Sequence, residues 1–312
     1  MTAAIFGAAS GGGSGALFAR LAYSGNGANR SIITGVDNDL VWIKNAAPES
    51  HFLNYDVSGT IKKLSSNLTI AESNSVGLTF NDSGFDLTSS ASLNNSGQSY
   101  RCFAWKKNAQ YLDIVTYTGN GSNRTIAHAL NAVPKMIIIK SRTLDPSSWA
   151  VYHANNTAAP ETDYLLLNTS STTTDDSTYW NDTLPTSSVF SVGTNNNVNK
   201  NGDTYVAYIF GESSGNSKLG GYTGSGITQS ISLGFEPSLV IVKGTDGDKW
   251  VMAMGNSAFT GNGKYLAADR TDAEATSSSI VNITATGFDV IGNSGETNQS
   301  GFGYIYAAWK GV

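Results

Sequence analysis

Short apolar runs alternate with polar, glycine-rich intervals along the whole chain. The segments Trp149–Tyr152 and Tyr205–Phe210 show a period-2 alternation of side chains, which is typical of strands. The runs Met136–Ile139 and Leu239–Val242 are continuously apolar, which is typical of strands buried on both faces. The intervals are rich in Gly, Ser, Thr and Asn, and no segment carries a helical stripe over three turns. The pattern therefore predicts an all-β protein.

This pattern occurs three times with nearly constant spacing. Each copy opens on a Tyr-x-Gly-x-Gly turn, at Tyr23, Tyr117 and Tyr222. A strand-like apolar run then ends in a lysine, at Lys44, Lys140 and Lys243. An aromatic residue follows, which we align as Phe52, Trp149 and Trp250, and each copy closes on Trp105, Phe210 or Trp309. Self-similarity at a fixed period indicates a repeat architecture.

A copy of roughly 100 residues has the size of a β-sandwich that can hold its own core. We therefore predict three tandem β-sandwich repeats of jelly-roll-like type, at residues 21–109, 110–216 and 217–312. Residues 106–110 and 211–221 connect them, and the second connection is flexible by composition. The recurrent aromatic residues are predicted to lie in the cores, because large buried rings are how a Gly- and Ser-rich module gains stability.

Residues 1–20 form a separate Ala/Gly-rich arm. The arm lacks a basic start, and Gly11–Gly15 interrupts its apolar content, so we do not predict a signal peptide or a membrane span. It is either a flexible terminus or a docking arm that a partner orders. In the second case the candidate docking residues are its largest apolar side chains, Ile5, Phe6, Leu17 and Phe18.

Charge and cysteine content limit the partners. The formal net charge is −5 and only 14% of residues are charged, so we expect neither nucleic acid nor a membrane as a partner. The single cysteine, Cys102, lies in a predicted strand and is expected to be an inert buried thiol. A chain without disulfides is stabilised by packing alone, which fits assembly in the cytosol.

The residues offer no catalytic or metal-binding constellation. The histidines His51, His128 and His153 have no partners at corresponding positions of the copies, and we expect His153 at the surface, at a strand end. The acidic pairs at 175–176 and 246–248 lack the alternating ligands of a calcium loop. We therefore predict no enzyme activity, no metal and no cofactor.

One aromatic pair has no counterpart in the other copies. Tyr179 and Trp180 lie in the long middle insertion of the second copy, within a polar segment. Three interpretations are open: packing of the loop itself, contact with a subunit or partner, and stacking on a glycan. The pair is thus the candidate contact for a partner or a sugar.

Three strings carry a resemblance to a known group of proteins: residues 117–126, 133–142 and 192–208. They resemble an uncharacterised β-rich module of structural proteins from tailed bacteriophages, especially marine and cyanobacterial ones. The third copy fits this resemblance well and the first fits less well. The resemblance implies a virion protein, and it supplies no active-site residues to carry over.

We therefore expect a non-enzymatic bacteriophage virion protein, a tail fibre or tail-associated appendage that also contacts the host surface. A capsid decoration or head-fibre protein is the alternative, and a carbohydrate-binding or glycan-degrading protein is the alternative of another class. A glycan-degrading enzyme would require a pair of catalytic carboxylates. The expected partners are other virion proteins, sister subunits in a homotrimer and a host glycan. The expected location is the virion, assembled in the host cytoplasm.

Overall fold

A computed structural model describes residues 15–255, 264–276 and 280–312. Strands make up 45% and helices 4% of the structure, which confirms the all-β class. Within the described ranges the strands form three six-stranded antiparallel sheets, and each sheet faces a smaller sheet of two or three strands. We call the three parts modules 1, 2 and 3.

The strand bounds follow the same plan in each module. Module 1 contains β1 (Phe18–Ser24), β2 (Arg30–Ile33), β3 (Leu40–Asn45), β4 (His51–Val57), β5 (Thr60–Leu64), β6 (Ser73–Asn74), β7 (Leu78–Asn81), β8 (Gly84–Leu87), the 3-10 turn η1 (Ser92–Asn94) and β9 (Ser99–Trp105). Its large sheet has the order β1-β9-β3-β4-β5-β6, and its small sheet has the order β2-β8-β7.

Module 2 replaces one strand of the small sheet by a helical turn. It contains β10 (Leu112–Thr118), β11 (Arg124–Ala127), β12 (Met136–Ser141), β13 (Ala150–His153), β14 (Asp163–Leu166), β15 (Thr174–Asp175), α1 (Ser177–Trp180), β16 (Val189–Val192), α2 (Asn196–Asn199) and β17 (Thr204–Phe210). The large sheet is ordered β10-β17-β12-β13-β14-β15, and β11 pairs with β16.

Module 3 returns to the plan of module 1. It contains β18 (Ser217–Thr223), β19 (Gln229–Ser232), β20 (Leu239–Gly244), β21 (Gly247–Met254), β22 (Lys264–Ala267), β23 (Ala275–Thr276), β24 (Val281–Thr284), β25 (Gly287–Val290) and β26 (Gly303–Trp309). Its sheets are ordered β18-β26-β20-β21-β22-β23 and β19-β25-β24. The three lysines that end the apolar runs occupy the fifth position of the equivalent strands β3, β12 and β20.

Each large sheet is buried on both faces. One face packs on the small sheet of its own module and forms a separate core, such as the one around Phe85 and Cys102 in module 1. The other face joins a core shared by all three modules. The continuous apolar runs predict this double burial, and all residues of β3, β12 and β20 are buried.

The shared core changes the expected domain arrangement. The sequence predicts three sandwiches that each rely on a core of their own, whereas the sheets lie around a common centre. The closing residues Trp105, Phe210 and Trp309 contact one another there, with ring centroids 6.3, 5.5 and 5.4 Å apart. Because equivalent residues of three modules meet, the chain has a pseudo-threefold axis through this aromatic triad.

Backbone hydrogen bonds join the modules in a closed ring. The amide before each edge strand donates to the carbonyl of the residue two positions after the lysine in the next module. These bonds are Glu72 N to Arg142 O at 2.8 Å, Thr173 N to Thr245 O at 2.7 Å, and Glu274 N to Ala46 O at 2.8 Å. The third bond closes the ring from module 3 back to module 1.

The body has two different ends along the axis. The base contains the aromatic triad, and there the backbone amide of Val312 donates to the carbonyl of Phe18 at 3.2 Å. The distal end contains the three Tyr-x-Gly-x-Gly turns, which follow the opposite ends of the first strands. Seven-residue strands such as β1 separate the two ends by roughly 20 Å.

Candidate interaction surface

The three turns at the distal end are held by one equivalent buried asparagine each: Asn94, Asn199 and Asn298. The side-chain oxygen accepts a backbone hydrogen bond from the turn, with donors Asn26, Asn120 and Ser225 at 3.1, 3.0 and 2.9 Å. The side-chain nitrogen donates to a carbonyl two residues later in the turn, at 2.6, 2.7 and 2.6 Å from Ala28, Ser122 and Ile227. A buried amide with both ends bonded fixes the shape of each turn.

A pair of tyrosines supports each turn from below. The opening tyrosine stacks on the closing tyrosine with centroids 5.0 to 5.2 Å apart, in the pairs Tyr23–Tyr100, Tyr117–Tyr205 and Tyr222–Tyr304. Their hydroxyls donate to loop carbonyls, as Tyr117 does to Val198 at 2.6 Å. Burial raises the pKa of Tyr117 well above its ordinary value, so the ring stays neutral and donates this bond.

The first glycine of each turn allows the close approach of two loops. A Cβ atom on Gly25 would lie 2.2 Å from the carbonyl oxygen of Asn95, and the equivalent glycines, Gly119 and Gly224, have carbonyl oxygens at 2.2 and 2.1 Å. Only glycine fits at such a distance. The turns therefore form three rigid platforms whose exposed atoms are mainly backbone groups and small polar side chains, together with Ile227 in module 3, which is 71% exposed.

Constant sequence spacing could have revealed the asparagines. Asn94, Asn199 and Asn298 each precede the closing tyrosine of their module by six residues. Asn is abundant in the polar intervals, so these three residues do not stand out by composition. A position that keeps Asn at a fixed offset in all three copies is the signal that separates these residues from loop asparagines.

The three equivalent lysines are buried without a bonded carboxylate. Lys44 donates to the carbonyls of Asn45 and Ala47 at 2.6 and 2.7 Å. Lys140 donates to Ser141 at 3.1 Å and, across the module junction, to Thr69 at 3.2 Å. Lys243 donates to Gly247 at 2.9 Å and to Asp248. Desolvation lowers the pKa of each of these lysines to about 8.

Two of the three junctions also carry a bidentate Arg–Glu pair. Glu72 of module 1 accepts two bonds from Arg142 of module 2. Glu274 of module 3 accepts two bonds from Arg101 of module 1 and one from Lys264. Burial alone would raise the pKa of Glu274, but the bonds and charges of Arg101 and Lys264 outweigh it and hold this pKa below the ordinary value.

Tryptophan side chains add contacts across the same junctions. The indole of Trp149 donates to Ser65 of module 1 at 3.0 Å, and that of Trp250 donates to Leu166 of module 2 at 2.9 Å. The equivalent position in module 1 is His51, which pairs opposite Lys44, and not Phe52 as the sequence alignment predicts. The one-residue shift moves Phe52 to the other face of the sheet, where it packs on the core of module 1.

Tyr179 and Trp180 are not available to a partner or a glycan. They are 3% and 2% exposed and lie in the core of module 2. The Trp180 indole donates to the Asp163 carbonyl at 3.0 Å, and the Tyr179 hydroxyl accepts from Asn197 at 2.9 Å. Helix α1 covers β16 where the other modules have a third strand, so the pair supplies the apolar surface that this strand would bury. Their burial favours packing of the loop itself among the three interpretations.

Two of the four candidate docking residues, Leu17 and Phe18, lie in the body of module 1. Phe18 is 1% exposed, starts strand β1, and packs on Trp105 with ring centroids 4.8 Å apart. Leu17 is half-buried against the shared core. Both residues therefore belong to module 1 and do not provide a docking contact. Ile5 and Phe6 lie outside the described residues.

Two of the histidines and the cysteine are buried in the described part of the chain. His51 and His153 are buried, and desolvation lowers their pKa values to about 3 and about 4. The prediction of a surface position for His153 is wrong, because its ring lies against the carbonyl of Tyr306 in module 3, at 3.2 Å. Cys102 is a buried free thiol whose pKa is raised by desolvation. Among the described residues, no group of three or more His, Cys, Asp or Glu side chains could hold a metal ion.

Helices in the described part of the chain are single turns, and none could span a membrane. Residues 13–311 match the family described as a domain of unknown function, DUF7483, and the chain belongs to this family. No curated protein matches the chain.

Proposed function

We propose that this DUF7483 protein is a non-enzymatic structural protein of a bacteriophage virion, a tail fibre or tail-associated appendage that ends in a rigid knob. The observation that carries the proposal is the closed ring of three modules around one aromatic core. The phage setting rests on the sequence resemblance alone, and the architecture supports a structural role within it.

The two ends of the body suit an appendage. Phe18, the first residue of β1, lies at the base beside Trp105 and Trp309, so an attachment at the base would point the distal end outward. The three platforms there are fixed by buried amides and stacked tyrosines. A preformed surface loses little conformational entropy on contact, which favours recognition of a host surface.

The closed ring of three modules within one chain changes what a homotrimer would be needed for. One chain already supplies three equivalent modules and buries the faces that join them. Trimerisation is therefore not needed to complete the core, and a homotrimer would form through the arm or the outer faces. We propose virion proteins as the primary partners and sister subunits as secondary ones.

The burial of the candidate stacking pair weakens the alternative of a carbohydrate-binding or glycan-degrading protein. Tyr179 and Trp180, the candidate stacking pair, are buried. The exposed parts of the distal turns carry amide and hydroxyl groups in place of aromatic rings. A capsid decoration protein would use the same architecture as a tail appendage, so the location on the particle distinguishes these two.

The test is immunogold labelling of particles from the phage that encodes the chain, with antibodies raised against the folded protein. We expect label at the tail or its fibres. Label confined to the capsid shell would select the decoration alternative. Purified particles that carry neither label nor peptides of the chain would contradict the proposal.

A further inference from the structure

We propose that Asn201, at the distal end of module 2, is a covalent modification site whose side-chain amide is lost by spontaneous deamidation to give isoaspartate and aspartate. The reaction needs the backbone nitrogen of the next residue, Gly202. Because glycine has no side chain, the approach to this nitrogen is open. The inference goes beyond the proposed function and does not depend on the phage setting.

Within the described residues, Asn–Gly pairs occur at positions 26–27, 120–121 and 201–202, and all six residues are exposed. The first two pairs lie in the opening turns of modules 1 and 2. The third lies in a turn from Lys200 to Asp203, and the Gly119 amide joins this turn to the opening turn of module 2 by a bond of 2.8 Å to the Asp203 carbonyl. A fourth pair, at 262–263, lies outside the described residues.

The reaction forms one bond and breaks another at Cγ of Asn201. The backbone nitrogen of Gly202 gives its proton to water and attacks Cγ, so that a cyclic imide closes and the side-chain nitrogen leaves as ammonia. Water then opens the ring. Its addition to the side-chain carbonyl gives aspartate, and its addition to the backbone carbonyl gives isoaspartate. No oxidant or reductant is required, and water is the co-reactant.

The opening turns restrain both reacting groups of their Asn–Gly pairs. The side-chain oxygen of Asn120 accepts from the Ser122 amide at 3.0 Å and from the Asn199 side chain at 3.3 Å. The attacking nitrogen, that of Gly121, donates to the Asn199 carbonyl at 2.8 Å. Module 1 repeats two of these bonds, from Ala28 to Asn26 at 3.0 Å and from Gly27 to Asn94 at 2.8 Å. Attack on Cγ would disrupt at least two hydrogen bonds in either turn.

At Asn201 only the attacking nitrogen is restrained. The Asn201 side chain is exposed and makes no hydrogen bond to the described residues, so its Cγ can turn towards the backbone. The Gly202 amide donates to the Gly119 carbonyl at 3.0 Å, and a Cβ atom on Gly202 would meet nothing within 4 Å. Since each lost hydrogen bond slows the reaction by about fivefold, Asn201 should react before Asn26 and Asn120.

Deamidation would change both the charge and the backbone of the distal platform of module 2. The new carboxylate would follow Lys200, whose ammonium group pairs with Asp203 at 3.1 Å. Isoaspartate also lengthens the main chain by a methylene group, which displaces Gly202 from its bond to Gly119. The platform would therefore exist in an unmodified form and in a more negative, looser form.

Peptide mapping of the purified chain during incubation at mildly alkaline pH tests the inference. Liquid chromatography with mass spectrometry separates the asparagine, aspartate and isoaspartate forms of each peptide. In the folded chain we expect isoaspartate at position 201 to accumulate at least about fivefold faster than at positions 26 and 120. In urea, where the turns are unfolded, the three rates should become similar. The matched control variant is Asn201→Gln, which keeps the amide and should give no product at this position.

Three outcomes would overturn the inference. The first is equal or faster reaction at Asn26 or Asn120 in the folded chain. The second is no product at Asn201 in the folded chain while the chain in urea reacts there. The third is a rate difference that persists in urea, because the fold would then not be its cause. Each outcome leaves the proposed function untouched, since that function is tested by labelling of particles.

Discussion

Truncation of Trp309 to alanine tests how far the shared core couples the modules. Trp309 is 1% exposed and packs on two rings from other modules, Trp105 at 5.5 Å and Phe210 at 5.4 Å, and on Phe18 at 6.3 Å. A buried Trp→Ala change costs about 3–5 kcal/mol, and the lost aromatic pairs place this one near the upper end, at about 4–5 kcal/mol.

The melting temperature then distinguishes one cooperative body from three. With an unfolding entropy of about 2.1 cal/mol/K per residue, a loss of this size lowers the midpoint of the whole chain by about 6–8 °C. If module 3 unfolded alone, its smaller entropy would give a shift of about 20 °C in roughly one third of the signal. Far-UV circular dichroism measures both the shift and the fraction of signal that moves.

The control for this experiment is Ile227→Ala, an exposed position in the same module. We expect a change within about 0.5 kcal/mol for it. An unchanged midpoint for Trp309→Ala would show that the side chain is not buried in solution. A low-temperature step that contains only a third of the ellipticity would refute the coupling between modules.

Three further predictions concern the junction lysines, the distal turns and the seam between modules 3 and 1. The pKa of the buried lysines is lower in the folded chain, so the unfolded chain binds more protons above pH 8, and the free energy of unfolding should rise between pH 8 and 9.5 by up to about 1.4 kcal/mol per pH unit for each lysine. In urea titrations Lys140→Met should remove about a third of this slope. A slope equal to that of wild type would contradict the lowered pKa of Lys140. Asn199→Ala should lower the free energy of unfolding in urea by about 3 kcal/mol and speed backbone amide hydrogen exchange in residues 119–122. Exchange protection equal to wild type would show that the Asn199 side chain does not hold the turn. Glu274→Gln should lower the free energy of unfolding at pH 7 by about 2–4 kcal/mol, because the charged carboxylate pairs with Arg101. It should also flatten the loss of stability that wild type shows as pH falls below about 4.5, since the lowered pKa of Glu274 stabilises the fold only while the carboxylate is charged. The same loss of stability at low pH in the variant and in wild type would contradict the pairing with Arg101.

The sequence predicted the fold class because strand patterning is a local property. Alternation, continuous apolar runs and glycine-rich turns each follow from one strand and its two faces. The equivalence of Lys44, Lys140 and Lys243 followed from their constant spacing, and the structure places them at matching positions of matching strands. The turns that open each copy are likewise where the Tyr-x-Gly-x-Gly pattern places them.

The shared core could not be predicted because burial patterns do not say what covers a face. The runs Met136–Ile139 and Leu239–Val242 indicate two buried faces, yet a second sheet of the same module would satisfy the same pattern. The burial of Tyr179 and Trp180 could not be predicted for a related reason. The polar segment that contains them replaces a strand of the small sheet, and its aromatic rings fill the space that this strand would cover. His153 is buried because a neighbouring module covers the strand end on which it lies.

Differential scanning calorimetry of the wild-type chain tests the central claim most directly. If the three modules share one core, unfolding should be a single transition with a calorimetric enthalpy of about 220 kcal/mol near 60 °C and a van't Hoff enthalpy that equals it. Three independent sandwiches would give a van't Hoff enthalpy of about 70 kcal/mol and a ratio near three, or separate transitions. We expect a ratio near one, and a ratio near three would contradict a core shared by the three modules.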